Sequence, residues 1–338
     1  MSILPIFIPH AGCPHQCIFC NQKTISGQKN AAITGAQEQI ARWLNWLKPS
    51  LNNEAAFYGG TFTALDRKLQ EQLLALTDEL IEQHIIGSVR LSTRPDYIDE
   101  ACLALLKAHH VKLVELGVQT LDDSVLALAG RGHDSACVYN AHALLREAGL
   151  QTGIQLMVGL PGQSFASVQE TAVRVAKLAP DVARIYPVLV LKNTPLAQSY
   201  EQGEYAPLTL ENAVTQSAYV YSTLRAVGVN VIRIGLQPDE ELCTPGNILA
   251  GPWHPALGEL VKSRVLREHF TPIMQDMVLR GVKGVIFHCP RQYESKLRGQ
   301  KNCNLKYWQD RWPSLGITIM SSSADAINVC IMGSECSL

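Results

Sequence analysis

The segment PHAGCPHQCIFCNQ, Pro9–Gln22, places Cys13, Cys17 and Cys20 in a Cys-x3-Cys-x2-Cys run on a loop that also contains glycine and proline. Cysteine thiolates hold iron–sulfur clusters, which normally take four of them. No further cysteine follows until Cys102. A [4Fe–4S] cluster held here would therefore keep one iron without a protein ligand, as a catalytic zinc keeps an open position. The spacing predicts a cluster whose open iron binds a second molecule.

Two other interpretations of these cysteines stay open at this point. A zinc knuckle needs four nitrogen or sulfur ligands, and His10 or His15 could supply the fourth. Alternatively, the cysteines are buried side chains without a ligand. The uncommon three-and-two spacing favours the cluster over both.

Length and composition indicate a globular, core-forming protein. The chain has 338 residues, 47% hydrophobic and 17% charged, enough for one large α/β domain and a small appendage. The net charge of −1 gives no global attraction to a polyanion. No signal peptide opens the chain and no apolar run is long enough to span a bilayer, so we expect a cytoplasmic protein without a membrane partner. In that reducing compartment, cysteines bind metals or are buried rather than forming disulfides.

Short β-like runs alternate with helical patterns as far as about residue 240. The β-like runs are Ile3–Ile8, Ala55–Tyr58, Ser88–Thr93, Leu113–Val118, Gly153–Val158, Ala183–Leu191 and Val229–Gly235. The helical patterns are Gln37–Leu47, Arg67–Gln83, Glu100–Ala108, Ser135–Ala148, Phe165–Leu178 and Leu210–Ala226. This alternation predicts right-handed βα units around a parallel sheet, closed or partly closed, with ligands at the carboxyl ends of the strands.

Glycines and polar residues follow several of these strands. The second strand ends in Tyr58-Gly59-Gly60-Thr61-Phe62, where paired glycines let the backbone approach a ligand. Later strand ends are Ser92-Thr93-Arg94-Pro95-Asp96-Tyr97, Gly117-Val118-Gln119 with Gly130-Arg131-Gly132-His133 after it, Gly153-Ile154-Gln155, and Lys192-Asn193-Thr194. Each could be an ordinary capped turn, but together they are typical of a pocket above a barrel.

The cysteine spacing, with Phe19 before the last cysteine, resembles the signature of the radical S-adenosylmethionine (radical SAM) enzymes. In that family the open iron binds the amino and carboxylate groups of SAM. An electron from the cluster then cleaves SAM to methionine and a 5′-deoxyadenosyl radical, which takes hydrogen from the substrate. The resemblance implies a [4Fe–4S] cluster on Cys13, Cys17 and Cys20, SAM as second cofactor, and an electron donor such as flavodoxin or ferredoxin.

Further motifs resemble the radical SAM half of the Elongator catalytic subunit. They are RLSTRPDYID, ELGVQ, GRGH, IYPVLVLKNTPL and EQGEYAPLTLENAV. Oxygen-independent coproporphyrinogen dehydrogenases are a broader relation through the GVQ and GLPGQ-type strand ends. The resemblance covers about residues 3–240 and implies an α/β fold, a partial (β/α)6-type TIM-like barrel.

Two departures from these families change the expected chemistry. The Elongator subunit has a longer gap before its final cysteine pair and continues into an acetyltransferase domain, whereas this chain ends at Leu338. We therefore do not expect acetyl transfer. The coproporphyrinogen enzymes carry a further cysteine two residues after the triad, where this chain has Gln22, which makes decarboxylation of a tetrapyrrole less expected.

The resemblance also implies contacts to SAM. The family's glycine motif holds the SAM amino group through backbone carbonyls, and its counterparts here are Gly59, Gly60 and Thr61. The coproporphyrinogen relatives add a polar residue of the third strand, the GVQ glutamine, a following arginine and a polar residue of the fifth strand. The corresponding positions are Ser92 or Thr93, Gln119, Arg131 and Gln155. Gln119 and Arg131 match by type, whereas Ser92 stands for a glutamate and Gln155 for an aspartate.

The sequence divides into a barrel (1–240), a linker and helical segment (241–280) and a small basic α/β module (281–338). In the middle segment, Leu257–Met277 is predicted to be helical with a break at Pro272. Before it, Trp253 and His254 either close over the barrel mouth or pack in an ordinary loop.

The last module has the order strand, helix, turn, helix, strand, strand, with Gly299-Gln300-Lys301-Asn302 as the turn. This order resembles a minimal KH module, whose GXXG loop clamps a nucleic-acid backbone. Eight basic residues lie between residues 280 and 312, against Glu294 and Asp310: Arg280, Lys283, Arg291, Lys296, Arg298, Lys301, Lys306 and Arg311. Aromatic residues that could stack on bases lie among them, namely Tyr293, Tyr307, Trp308 and Trp312. The predicted RNA contacts are Arg298, Gly299, Lys301 and Lys306; the alternative is a solvated basic face on a cap.

The sequence thus predicts a radical SAM enzyme that acts on RNA, with tRNA as the expected substrate. One rival is a radical SAM enzyme for a small molecule, of the coproporphyrinogen-dehydrogenase type. The other is a non-catalytic iron–sulfur or RNA-binding protein, which would not need the polar set at the strand ends.

Overall fold

The computed structural model describes residues 2–14, 17–22, 25, 32–238, 240–323 and 325–332. The strands up to residue 250 are β1 (Ile3–Phe7), β2 (Glu54–Tyr58), β3 (Ser88–Thr93), β4 (Val111–Gln119), β5 (Gln151–Val158), β6 (Val182–Pro187), β7 (Val190–Leu191), β8 (Asn230–Ile234) and β9 (Ile248–Ala250). The helices up to residue 279 are α1 (Ala32–Leu44), α2 (Arg67–Glu82), α3 (Glu100–Ala108), α4 (Asp123–Leu128), α5 (Ser135–Glu147), α6 (Phe165–Leu178), α7 (Pro195–Glu201), α8 (Leu210–Ala226) and α9 (Leu257–Leu279).

The predicted partial α/β barrel is confirmed. Seven strands form one sheet in the order β1-β2-β3-β4-β5-β6-β8, and all neighbours are parallel. The edge strands β1 and β8 are not paired with each other, so the sheet curls into an open barrel rather than closing. Because every strand runs the same way, all the carboxyl ends meet at one rim.

Local sequence explains where the outer helices begin. Asp99 caps α3, and its carboxylate accepts a hydrogen bond from the Cys102 amide at 2.7 Å. Ser164 caps α6 and Thr209 caps α8 in the same way. Each cap satisfies an amide that the first helical turn leaves without a partner. The apolar sides of these helices pack on the sheet to form the main core.

The structure differs from the sequence prediction at three places. The predicted strand Ala183–Leu191 divides into β6 and β7, and β7 pairs antiparallel with β9. The short helices α4 and α7 were not predicted. The predicted break at Pro272 is wrong: α9 continues through this proline. Phe270 and Met274, which flank it, are buried in the core of the last module, and this packing offsets the hydrogen bond that proline cannot make.

The last module has its own small core. Its elements are β10 (Gly284–Pro290), α10 (Arg291–Arg298), a 3-10 turn (Gln300–Asn302), α11 (Cys303–Arg311), β11 (Gly316–Ser322) and β12 (Asn328–Ile331). β10 is the central strand, parallel to β11 and antiparallel to β12. Trp308 is fully buried and stacks on Phe287 at 5.5 Å between ring centroids. Cys330 is disulfide-bonded, so the expectation that cysteines here avoid disulfides is wrong for this residue.

Within the described parts of the chain, no helix is both long and apolar enough to cross a membrane.

Candidate active site

A cavity of about 1020 Å³ opens at the rim formed by the strand ends and extends into the barrel. All three cysteines of the N-terminal loop line it, and so does every residue predicted to contact SAM: Gly59, Gly60, Thr61, Ser92, Thr93, Gln119, Arg131 and Gln155. These predicted residues thus come from three strands, β3, β4 and β5, and from three loops, and they meet in one space.

The cysteine loop and the glycine turn after β2 pack backbone against backbone. The Thr61 amide donates a hydrogen bond to the carbonyl of Ala11 at 2.8 Å. A Cβ on Gly60 would lie well under 3.0 Å from that same carbonyl, and a Cβ on Gly12 would overlap the carbonyl of Thr61. Both glycines have a positive φ, +67° for Gly60 and +72° for Gly12. Glycine is therefore required at both positions for two reasons, the positive φ and the close approach of the two backbones.

Gln22 ties the two loops together. Its Oε1 accepts hydrogen bonds from the His10 amide and, at 2.6 Å, from the Gly60 amide. In return, the Gln22 amide donates to His10 Nε2 at 3.0 Å. His10 is thereby engaged as an acceptor and is a poor candidate for a fourth metal ligand. The other candidate, His15, lies outside the described residues.

Two of the three thiols, Cys13 and Cys20, lie in a setting that disfavours the thiolate in the absence of a metal. Burial, together with the neighbouring Cys17 and Cys13, raises the pKa of Cys20 to about 12. Burial likewise raises the pKa of Cys13, although its Sγ contacts Thr61 Oγ1 at 3.4 Å. Among the described residues, no three His, Cys, Asp or Glu side chains converge on a single metal ion. A cluster does not need such convergence, since each thiolate binds a different iron.

Arg131 is a charged group in hydrogen-bond contact with a cysteine sulfur. It is 5% exposed, and its Nη1 donates to Cys17 Sγ at 3.1 Å. Its Nη2 donates to the Gly117 carbonyl and contacts His133 Nε2 at 3.3 Å. Burial and this guanidinium lower the pKa of His133 to about 4, so the imidazole is neutral at pH 7. No carboxylate of the described residues lies within ion-pair distance of Arg131.

The Gly-Val-Gln strand end is shaped by a bulge. The pairing of β4 with β5 shifts between Gly117 and Gln119, and Gln119 adopts a φ of +70°, which is uncommon for a residue with a side chain. A Cβ on Gly117 would lie 3.2 Å from the side-chain Nε2 of Gln119 and 3.4 Å from Arg131 Nη2. The glycine thus leaves room for the glutamine and the arginine to lie side by side at the cavity wall.

The two weaker predicted positions contact each other. Gln155 Nε2 donates to Ser92 Oγ at 3.0 Å and to Glu115 Oε2 at 3.3 Å. The Thr93 hydroxyl, by contrast, forms a hydrogen bond with Thr63 Oγ1 at 2.6 Å. Of the two alternatives on the third strand, Ser92 is therefore the one joined to the polar interior of the barrel.

That interior holds a charged network that the sequence analysis missed. Glu115, 1% exposed, accepts two hydrogen bonds from Arg184, one of them from Nη2 at 2.9 Å. Arg184 Nη2 also donates to Tyr58 Oη at 2.8 Å, and Arg90 Nε lies 3.8 Å from Glu115 Oε1. The signal was present, since charged residues inside buried strands are rare unless paired.

Arg94 directly follows β3, in a strand-end motif whose arginine the sequence analysis did not assign to the site. It is 4% exposed, lines the cavity, and binds both carboxylate oxygens of Asp96, at 2.9 and 2.7 Å. Its Nη1 is buried and has no hydrogen-bond partner among the residues that the structure describes.

The predicted RNA contacts lie in the last module, away from the cavity lining. Arg298 pairs with Glu294 at 3.0 Å, whereas Lys301 and Lys306 are exposed. Gly299 has a φ of +74°, and Asn302, with a φ of +61°, adopts the left-handed conformation expected for a residue that replaces a glycine. Base stacking on the two tryptophans, Trp308 and Trp312, is ruled out because both are buried.

Comparison with known proteins agrees with this geometry. Residues 7–175, half of the chain, match the model of the radical SAM superfamily, and residues 180–267 match the radical SAM C-terminal domain. The chain belongs to the radical SAM superfamily, a family of enzymes whose cofactors are a [4Fe–4S] cluster and SAM.

Individual relatives resemble the Elongator branch, as the sequence motifs predict. The chain is 26% identical to a tRNA uridine(34) acetyltransferase of Methanocaldococcus infernus, over 66% of this chain and 50% of that protein. It is 30% identical to Protein YhcC of Escherichia coli strain K12, over 58% of this chain and 63% of that protein. The solved structure of Methanocaldococcus infernus Elp3 is 25% identical, with a TM-score of 0.61, over 83% of this chain and 63% of that one. The chain thus spans about half to two thirds of these relatives.

The residues at the cavity fit the family's cofactors. Arg131 is a buried cation without a carboxylate partner, which is costly unless an anionic group binds beside it. A cluster held by three thiolates is such a group, and Arg131 already bonds one of the sulfurs. The backbone at Gly59–Thr61 and the side chains of Gln119 and Gln155 also place polar groups at the cavity wall.

Proposed function

We propose that this radical SAM enzyme acts on RNA, and that tRNA is its substrate. The observation that carries the proposal is the likeness to proteins named tRNA uridine(34) acetyltransferase, which extends over 66% of this chain. Because the chain spans only half of that relative, acetyl transfer is not part of the proposal. The cytoplasmic location predicted from the sequence suits an oxygen-sensitive cluster and an electron donor such as flavodoxin or ferredoxin.

In this proposal Cys13, Cys17 and Cys20 hold the cluster, and the predicted SAM contacts hold the second cofactor. When bound, the two cofactors supply one-electron cleavage of a carbon–sulfur bond and removal of a hydrogen atom from the substrate. The chain positions the cofactors. The backbone at Gly59–Thr61 holds the methionyl end of SAM, and Gln119 lines the cavity together with Arg131.

The charge of the last module supports an RNA partner, on fewer residues than the sequence indicated. Arg280, Lys296 and Arg298 each have a carboxylate partner. Arg311 Nη2 donates to Gln275 Oε1 at 3.2 Å, and no ion pair forms between any described carboxylate and the other four cations, Lys283, Arg291, Lys301 and Lys306. These four are available to phosphates. The KH-like arrangement of the last module and the domain boundaries at residues 240 and 280 are part of the same proposal.

The turn between α10 and α11 is connected to the barrel mouth. Gln300 Nε2 contacts His254 Nε2 at 3.2 Å, and the preceding Trp253 packs in a cluster with Leu189 and Leu236. Both leucines also line the cavity. An RNA strand held at this turn would therefore lie next to the loop of Trp253 and His254, which borders the cavity.

Salt-dependent binding tests the RNA surface. We compare the double variant Lys301→Glu/Lys306→Glu with Lys68→Glu/Lys107→Glu, which makes the same charge change on exposed residues of α2 and α3. The logarithm of the binding constant falls linearly with the logarithm of the salt concentration. Losing two phosphate contacts makes this negative slope shallower by about 1.4 to 1.8. The control variant keeps the wild-type slope. Equal slopes for both variants, at unchanged iron content and melting temperature, would remove the RNA surface from the account.

Turnover tests the substrate. The reconstituted protein receives SAM, dithionite and bulk tRNA, and 5′-deoxyadenosine is compared with samples whose tRNA was first digested with nuclease. Intact tRNA raises the yield and produces a nucleoside of changed mass. Stimulation by the small-molecule fraction of a cell extract, with none by tRNA, would favour the rival small-molecule enzyme, for which Ser92, Gln155 and Arg184 on the cavity wall provide a polar binding surface.

A further inference from the structure

A second groove, of about 530 Å³, lies between α9 and α11. The residues that α9 contributes lie on one face of this helix, as their spacing over three turns shows: Arg264, Arg267, Glu268, Thr271 and Gln275. The opposite wall is formed by Tyr307 and Arg311, which are one helical turn apart on α11. From its first to its last residue on α9 the groove is about 16 Å long. It is therefore an elongated site with arginines on both walls.

Buried side chains hold the two helices of the groove against each other. Asn304, which is 1% exposed, donates from Nδ2 to the carbonyl and to the hydroxyl of Ser263, each at 3.0 Å. One turn further along α11, Trp308 Nε1 donates to Thr271 Oγ1 at 3.0 Å. Because these contacts fix the two helices in advance, a ligand that binds between them has little backbone to order.

The arginines of the groove are unequally neutralised. Arg264 contacts Glu211 and lies 3.6 Å from Glu268, so one cation serves two carboxylates. Neither Arg267 nor Arg311 forms an ion pair with a carboxylate of the described residues. Three arginines thus face two carboxylates, and the groove keeps a positive excess.

The guanidinium of Arg267 is fixed in place, and its charge is poorly compensated. Its Cζ lies 4.6 Å from the ring centroid of Tyr307, and this cation–π contact holds it over the ring. Burial and the neighbouring Arg264 lower the pKa of Arg267, and the charge of Glu211 offsets this only in part. An anion bound beside Arg267 would compensate the charge.

We propose that this groove binds the phosphate backbone of the RNA substrate, with Arg267 and Arg311 on two phosphates of one strand. Arg267 lies at Tyr307, whereas Arg311 bonds Gln275, eight positions further along α9. The two cations therefore serve successive positions of an extended chain rather than one small anion. Tyr307 is a positioning residue that acts through Arg267.

The inference rests on the proposed RNA substrate and deepens it. It extends the RNA surface from the last module to α9, a helix that the sequence analysis assigned to the segment between the barrel and that module. The RNA would be held by two elements whose relative position the buried Asn304 and Trp308 determine.

Salt-dependent binding of bulk tRNA to the reconstituted full chain tests the groove. Arg267→Gln/Arg311→Gln is compared with Arg67→Gln/Arg225→Gln, which removes two exposed arginines from α2 and α8. The groove variant should make the negative salt slope shallower by about 1.4 to 1.8, and the control should keep the wild-type slope. Tyr307→Leu should show about half of the change, because Arg267 loses its support, whereas Tyr307→Phe keeps the ring and should match wild type.

Chemical modification of arginines gives a second measurement that needs no variant. The wild-type protein is treated with phenylglyoxal, with and without tRNA, and the modified residues are identified by mass spectrometry. Intact tRNA should protect Arg267 and Arg311 and leave the exposed Arg67 and Arg225 as reactive as before. Inorganic phosphate, at the same concentration of phosphate groups, should give no protection. Equal protection by inorganic phosphate would assign the groove to a free anion and overturn the inference.

The outcomes separate this inference from the proposed function. A wild-type protein that binds tRNA with a steep salt dependence, while the groove variant keeps that slope, would overturn the inference and leave the RNA substrate standing. A wild-type protein that does not bind tRNA would overturn both. If the groove variant melts at a lower temperature or loads less iron than wild type, protection from phenylglyoxal decides, and its absence at Arg267 and Arg311 refutes the inference.

Discussion

Replacing Gly60 by alanine should separate the glycine turn from the cysteine loop. A side chain at a φ of +67° costs about 1–2 kcal/mol. The new Cβ would also overlap the carbonyl of Ala11, which must move, and such overpacking adds about 1–3 kcal/mol. Because that carbonyl accepts the Thr61 amide at 2.8 Å, the shift disturbs the one backbone bond between the glycine turn and Ala11. The total destabilisation is about 2–5 kcal/mol.

Gly149→Ala is the matched control for this variant. Gly149 has a φ of +76°, but nothing lies within 4 Å of the position of its Cβ. It should therefore show only the backbone strain of about 1–2 kcal/mol and load iron normally. The assays are the thermal midpoint and the iron and sulfide content after reconstitution. If Gly60→Ala matched Gly149→Ala in both, contact between the two loops would not support the cluster site.

Two further predictions concern charges at the cavity. Glu115→Gln leaves Arg184 buried without its carboxylate and should cost about 3–5 kcal/mol of stability. The control Glu71→Gln breaks an exposed pair with Arg67 and should cost at most about 0.5 kcal/mol. Equal shifts of the melting temperature for the two variants would contradict this prediction. The folded-state pKa of His133 is lowered to about 4, so the unfolded chain takes up a proton first as pH falls from about 6.5. Stability of the cluster-free protein should fall across that window and less so for His133→Gln, whereas parallel pH profiles would count against the burial of a neutral imidazole.

Local signals in the sequence were enough to assemble the rim of the site. The cysteine run and the Gly59-Gly60 turn are both short motifs, and parallel strands bring their ends together whatever the details of packing. The positions of Gln119 and Gln155 followed from the same rule. These residues could be predicted because strand order and direction alone determine where they lie.

Contacts between distant residues could not be predicted in this way. Glu115 and Arg184 are 69 positions apart, and only the curl of the sheet brings them to a bidentate pair. The free end of Arg94 depends on how Asp96 turns back toward it. The sequence suggests base stacking on Trp308 and Trp312, yet both pack in the core of the last module, Trp308 within α11 and Trp312 directly after it.

The central claim is that three cysteines and this cavity cleave SAM. After anaerobic reconstitution with iron and sulfide, the protein receives dithionite and SAM, and 5′-deoxyadenosine is measured against the variant Cys13→Ala/Cys17→Ala/Cys20→Ala. The account predicts that the wild type forms 5′-deoxyadenosine and the variant does not. A wild-type protein that carries the cluster but forms no more of it than the variant would contradict the account.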